Sequence, residues 1–228
     1  MLHDGEWSGP LDQNPWRKYI DESIVWNPLK QKLPAPSSRI LDLGCGDGRI
    51  AIRLAVDGFR AVGVDLRGGA GPRVLARAES LPFKAASFDL VVLILVLMHV
   101  RSADRLMSEV RRVTKTGGQL LVAVGNRRSF TGLAIRERSR GFLLKRIPYD
   151  YYRSYSMREL DHLLTAKGFK IETLRSVTFV PSFVSKGRPA VVQRLLALAD
   201  VLEPILGRIP FVRSFGIRLF AFAEAIEA

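Results

Sequence analysis

Strand-like and helix-like patterns alternate along most of this 228-residue chain, predicting an α/β protein with an open, mostly parallel sheet and helices on both faces. Three observations carry that expectation. Seven short apolar or alternating runs have strand character and are separated by helical periodicity or turn residues. The run Phe88 to Leu97, FDLVVLILVL, is almost continuously apolar, as suits a strand buried on both faces of a parallel sheet. The stretch ILDLGCGDGRI, Ile40 to Ile50, passes from a strand through three glycines into a helix, and that first turn is where open α/β sheets bind ligands.

In chain order, Trp16, Ile20, Ile24, Val25, Leu29 and Leu33 fall close to helical spacing, with Asn27-Pro28 as cap and first-turn proline of a second short helix. Residues 1–38 thus read as an N-terminal helical cap segment, ended by Pro34, Pro36 and the serines after them. A first strand is expected at Arg39 to Leu43, then a helix from about Gly48 to Asp57 that Gly58 stops. Phe59 to Leu66 and Arg73 to Ala76 read as the second and third strands, and Phe88 to Leu97 as the fourth. Ser102 opens a helix to about Val113, Thr116-Gly117-Gly118 is its exit, and QLLVAVG is the fifth strand. Ser156 and Glu159 form a capping box at the head of a helix that Gly168 closes. Phe169 to Thr178 reads as strand, Ala190 to Glu203 as an amphipathic helix, and Gly216 to Ala223 as the last strand. One main domain, 39–228, accommodates these elements, with an insert at 126–155 and the helix at 190–203.

With 47% hydrophobic and 25% charged residues the chain can bury a substantial core. The single cysteine, Cys45, excludes a disulfide framework and a multi-cysteine zinc site, and no metal is expected. The N-terminal MLHDGEWSGPLDQNPWRKY is polar and proline-broken where a signal peptide is apolar, and no stretch has the apolar length of a membrane span. The expected location is cytoplasmic, with peripheral membrane contact as an option. A formal net charge of +13 attracts nucleic acid, an anionic membrane surface or an acidic substrate, and equally fits an arginine-rich solvated surface.

The glycine turn narrows the ligand. Its spacing is Gly44, Gly46, Gly48, and Arg49 stands where a dinucleotide fingerprint has its third glycine. Asp42, ending the strand beside the turn, repels a pyrophosphate and attracts an ammonium. Asp65, at the end of the second strand, is placed to accept both hydroxyls of a ribose. A ligand with a ribose, an ammonium and no phosphate is S-adenosylmethionine.

From about Arg39 to Thr178 the chain resembles the class I S-adenosylmethionine-dependent methyltransferases. ILDLGCGDGR is similar to their first motif, VGVDL to their second-strand acid, and AESLPFKAASFDLVV to the loop and fourth strand of the subgroup acting on quinones and sterols. LMHV, SEVRRVTKTGGQLLVAV and SMRELDHLLTAKGFKIE resemble the later landmarks. The resemblance implies a Rossmann-like, seven-stranded sheet with an antiparallel last strand, and S-adenosylmethionine as cofactor. It implies Asp42, Gly44, Cys45 and Gly46 around the methionine part, Asp65 at the ribose, and Ala78 with Glu79 at the adenine edge. It adds Gly48, Leu66 and Leu95 to the residues lining the cofactor. His99, after the fourth strand, is the candidate catalytic base, with a structural or helix-capping role as the alternative. Two features depart from the pattern: only RGGAGP separates Leu66 from Arg73 where the family has a helix, and Arg77 stands where it often has an acid for the adenine amine.

The acceptor is less legible. The insert 126–155 mixes Arg127, Arg128, Arg136, Arg138, Arg140, Lys145 and Arg146 with Phe130, Phe142 and four tyrosines. That mixture fits a substrate lid over an anionic or aromatic metabolite, a surface for bases and phosphates, or contact with acidic lipid. Val191, Val192, Leu195, Leu196, Leu198, Ala199 and Leu202 form a broad helical stripe, expected to pack on the chain's own sheet or on a partner subunit in a homodimer. The leading expectation is methyl transfer to oxygen or carbon of a small or lipid-like acceptor. A nucleic-acid methyltransferase is the second, and ILVLMHV lacks the Asn/Asp-Pro-Pro-aromatic tetrapeptide that grips a planar nitrogen. A non-catalytic cofactor-binding partner protein is the third.

Overall fold

The β1 strand (Arg39–Leu43) buries its last four residues in succession, and β4 (Phe88–Ile94) is almost entirely buried, so both run through the sheet interior. The computed structural model of the chain describes residues 25–67, 73–129, 151–177, 189–206, 209 and 212–227. Strand β1 pairs in parallel with β2 (Arg60–Asp65) on one side and with β4 on the other. Strand β2 continues to β3 (Arg73–Leu75), and β4 to β5 (Thr114–Gly125), again in parallel. With β6 (Phe169–Val177) and β7 (Arg218–Ala225) the seven-stranded order is β3-β2-β1-β4-β5-β7-β6, mostly parallel with β7 antiparallel, as expected from the sequence. The order reverses between β1 and β4, and the crevice at the carboxyl ends of such neighbours is where open α/β sheets take ligands. Register does the rest: Leu43 lies opposite Val64, so Asp65 comes out beside the first residue of the glycine turn.

Five α-helices lie among the described residues. Helix α1 is Asn27–Lys30, α2 is Arg49–Val56, α3 is Ala103–Val113, α4 is Met157–Thr165 and α5 is Pro189–Leu206. The α3 helix buries Leu106, Met107, Val110 and Val113, an i, i+1, i+4, i+7 stripe, and Ser102 Oγ accepts the Arg105 N–H at its head. At α4 the expected capping box is present, with Ser156 and Glu159 each accepting from the other's backbone N–H. At α1 the cap is Trp26 rather than Asn27, because the Trp26 backbone is already helical.

The structure differs from the expected elements in four further places. The fourth strand stops at Ile94 rather than Leu97: Leu95 takes a left-handed φ of 58°, and Leu97–His99 form a single 3-10 turn. The Thr116-Gly117-Gly118 stretch is no helix exit but part of β5, where the register shifts against Phe88 and Leu90. Glycine there absorbs a bulge. The last strand opens at Arg218 instead of Gly216. The amphipathic helix α5 runs from Pro189 to Leu206 rather than from Ala190 to Glu203, and of its stripe Leu195, Leu198 and Leu202 are exposed whereas Leu196 is buried.

The chain divides into two compact units. One comprises Leu33–Gly125, Tyr151–Arg175 and Leu219–Ala228 and carries nearly all of the sheet and its core of Leu41, Leu43, Val91, Leu93, Leu120 and Val122. The other comprises Met1–Lys32, Asn126–Asp150 and Ser176–Arg218. Within it Asn126 Nδ2 donates to the carbonyls of Ser214 and Gly216, and Gly216 N–H donates to Ser176 Oγ. The expected helical positions Trp16, Ile20 and Ile24, most of the insert expected at 126–155, and the RGGAGP stretch beyond Arg67 lie outside the described residues. Among the described residues no helix is long and apolar enough to cross a membrane, and no three His, Cys, Asp or Glu side chains gather as a metal site.

Candidate active site

The glycine turn folds back over the end of β2, with the N–H groups of Gly44 and Cys45 both donating to the Val64 carbonyl at 2.6 and 3.0 Å. At Gly44, φ is +76° and a Cβ would stand 2.1 Å from Val96 Cγ2, so glycine is required on both counts. Gly46 also has a positive φ, but nothing lies within 4 Å of where its Cβ would be. The turn therefore offers an open cradle of bare backbone at Gly46. Gly48 caps α2 with a left-handed conformation, and the helix has no acid in its first turn.

Asp42 lies beneath this turn with 2% of its surface exposed. It accepts a hydrogen bond from the Ala51 backbone N–H in the first turn of α2, while Oδ2 has no partner among the described residues. Burial pushes its pKa up to about 7, the Ala51 N–H and Arg49 pull it down by less, and Asp47 and Asp65 add to the rise. An orphaned buried carboxylate oxygen is costly unless a cation or donor meets it. Cys45 is buried, and desolvation with the nearby Asp42 charge pushes its thiol up to about 11. It remains a protonated packing residue.

Asp65 stands at the rim. Its Oδ2 accepts the Gly46 N–H at 2.9 Å and its Oδ1 the Arg67 N–H at 3.0 Å. Leu66 beside it is exposed. In the loop after β3, Ala78 packs partly against the core, and Glu79 pairs with Arg77 at 3.8 Å. The loop containing them is pinned from α3. Glu109 Oε2 accepts the Leu81 N–H at 2.7 Å, and Arg112, paired with Glu109, donates to the carbonyls of Phe83 and Leu81.

His99 ends the 3-10 turn that follows Leu95. Its Nδ1 lies 3.3 Å from the Tyr151 carbonyl, and a carbonyl only accepts, so Nδ1 carries the proton and Nε2 the lone pair in the neutral ring. Half-burial lowers its pKa below the usual value, a shift that the Tyr151 contact opposes. The Tyr151 to Tyr155 segment is laced across the ends of β4 and β5: Arg153 N–H donates to the Met98 carbonyl and Tyr155 N–H to that of Gly125. Tyr152 tilts toward His99 with ring centroids 5.8 Å apart. Its Oη sits where Gly125 leaves room, 2.8 Å from the position of a Cβ there.

The structure thus gathers Asp42, Gly44, Cys45, Gly46, Gly48 and Asp65 around one turn, with Leu95 and His99 after the neighbouring strand. Sequence reasoning missed Val96, Arg73, the Glu109–Arg112 pair and the Tyr151–Tyr152 partners of His99. Gly125 at the end of a strand was the available signal for the last.

Several known proteins are similar to this chain. The methyltransferase-domain family profile matches residues 41–122. A protein of Encephalitozoon cuniculi, provisionally described as a methyltransferase, is 33% identical over 150 residues, covering 59% of this chain and 71% of its own. The ubiquinone biosynthesis O-methyltransferase of Sinorhizobium medicae is 28% identical over 169 residues, covering 67% of this chain and 68% of its own. Among solved structures, a S-adenosylmethionine-dependent methyltransferase from Methanosarcina mazei superimposes with a TM-score of 0.62 at 20% identity, over 88% of this chain and 98% of that one. This chain belongs to the class I S-adenosylmethionine-dependent methyltransferases. Its cofactor is S-adenosylmethionine.

Proposed function

We propose that this methyltransferase acts on a hydroxyl oxygen of a small or lipid-like acceptor and that His99 is its base. The observation carrying this reading is the Nδ1 contact to the Tyr151 carbonyl, which sets the tautomer with a basic Nε2, in a ring that burial keeps neutral at pH 7. S-adenosylmethionine supplies an electrophilic methyl group on a sulfonium. The chain's part is to bind, align and deprotonate. Asp42 takes the ammonium, since its buried Oδ2 lacks a partner among the described residues and a cation favours the carboxylate. Gly46 lets the ligand approach the backbone, and Asp65 retains acceptor capacity for the ribose hydroxyls beyond its two backbone bonds. Ala78 and Glu79 border the adenine, and Leu66 and Leu95 line the cofactor's edges.

Alignment supplies most of the acceleration, and a base matters only when the acceptor must lose a proton. His99 Nε2 receives that proton as the oxygen–methyl bond forms. Similarity to a ubiquinone biosynthesis O-methyltransferase supports a hydroxylated ring, free or on a lipid, as the acceptor class. The net charge of +13 supports an anionic acceptor or an acidic membrane surface as its source.

The test is label transfer from methyl-labelled S-adenosylmethionine to a panel of phenols, catechols, hydroxylated quinones, lipid extract and RNA. The expected product is an O-methyl ether, with His99→Gln lowering kcat about 10²–10⁴-fold and leaving cofactor affinity unchanged. Label appearing in RNA, or full activity in His99→Gln, would overturn the reading.

A further inference from the structure

Strands β2 and β3 are parallel neighbours, with Gly63 opposite Arg73 and Asp65 opposite Leu75, yet only residues 66–72 join them. A parallel connection normally takes a dozen or more residues and a helix. Across this short join Arg73, the first residue of β3, reaches back to the cofactor turn. Its Nη1 donates to the Gly46 carbonyl at 2.8 Å and to the Arg67 carbonyl at 3.3 Å. Those are the same two residues whose N–H groups donate to the Asp65 carboxylate. The four residues form a closed ring: the carboxylate accepts from both N–H groups, and the guanidinium donates to both carbonyls.

We propose that Arg73 is a positioning residue of the cofactor site, acting through Gly46 and Arg67 to hold the Asp65 carboxylate and the open Gly46 cradle in one geometry. The Nη1 group carries two N–H donors at the end of a long, permanently charged side chain, enough to meet both carbonyls. The guanidinium also sits close enough to the turn to act electrostatically on Cys45. This inference rests on the assignment of Asp65 to the cofactor ribose.

The experiment measures calorimetric affinity for S-adenosylhomocysteine in wild type, Arg73→Met, Arg73→Lys, Asp65→Asn and the Arg73→Met/Asp65→Asn double variant, each with its melting temperature. Arg73→Met is expected to weaken binding about tenfold or more, the scale of lost charge-assisted hydrogen bonds. Arg73→Lys, which keeps the charge but loses the reach and planar geometry of the guanidinium, falls between. The double variant binds no worse than the weaker single, since both substitutions break one ring. If Arg73→Met folds poorly, the comparison of Arg73→Lys with wild type, at a temperature where both are folded, carries the test: Arg73→Lys is expected to bind more weakly. Affinity within twofold of wild type in Arg73→Met, or in Arg73→Lys under that condition, or fully additive losses, would sink the role of Arg73 while leaving Asp65 in place. Wild-type affinity in Asp65→Asn would remove the ribose assignment itself and the ring's function with it.

Discussion

Asp42 concentrates the site's electrostatics in one side chain. Burial outweighs the Ala51 N–H and Arg49 and pushes its carboxyl up to about 7, and one oxygen has no donor among the described residues. A cationic ligand group binds the ionised form better, so ligand binding and proton release are linked. Affinity for S-adenosylhomocysteine is expected to rise as pH goes from about 6 to about 7.5. Asp42→Asn should bind more weakly and lose that slope. Titrations across this range would refute the assignment if the two proteins showed parallel profiles. The glycine spacing and both acids were readable in the sequence because a strand–turn–helix is local. The pKa of Asp42 was not, because it depends on what the fold stacks over the carboxyl.

At the scale of elements, α3 does more than cover the sheet. Its Glu109–Arg112 pair holds the backbone of Leu81 and Phe83 with three hydrogen bonds, and the loop they anchor carries Ala78 and Glu79. Arg112→Met should leave the helix intact, cost about 1–3 kcal/mol in stability and weaken cofactor binding. Circular dichroism, denaturant unfolding and calorimetry on one sample check all three, and unchanged affinity would make the pair purely structural. Helix α5 shows the opposite relation between pattern and role. Leu198 is 53% exposed and Leu196 5%. Leu196→Ala should therefore cost about 2–5 kcal/mol, while Leu198→Ser stays within about 0.5 kcal/mol in denaturant unfolding. Equal costs would show that the stripe is covered in solution. The stripe was legible as a shared face, but periodicity does not say which face packs.

For the molecule as a whole, Asp42 couples the proposed cofactor site to global stability. Its folded-state pKa is raised from 3.8 to about 7, so between those values the folded chain binds more protons than the unfolded one. Stability from this group is complete below about pH 4 and is lost as pH rises through about 7. The melting temperature of the free protein should thus decline across that window relative to Asp42→Asn, and added S-adenosylhomocysteine should shrink the difference. A wild-type curve parallel to that of Asp42→Asn would contradict the burial of a charged form. The net charge of +13 adds a second, diffuse term, since self-repulsion weakens with salt.

The sequence by itself determined the α/β class, the seven strands, the capping box at Ser156 and Glu159, and the ligand chemistry of the glycine turn. Each follows from neighbours in the chain: alternation, spacing, and residues that only a turn or a helix end accommodates. Only the tertiary structure decided that Leu95 breaks β4, that Gly117 and Gly118 bend a strand, and that Val96 closes over Gly44. The same holds for Arg73 and for Tyr151 with Tyr152. Their partners lie many residues away, and which side chain meets which backbone carbonyl is fixed by strand order and register, quantities that a local pattern does not contain.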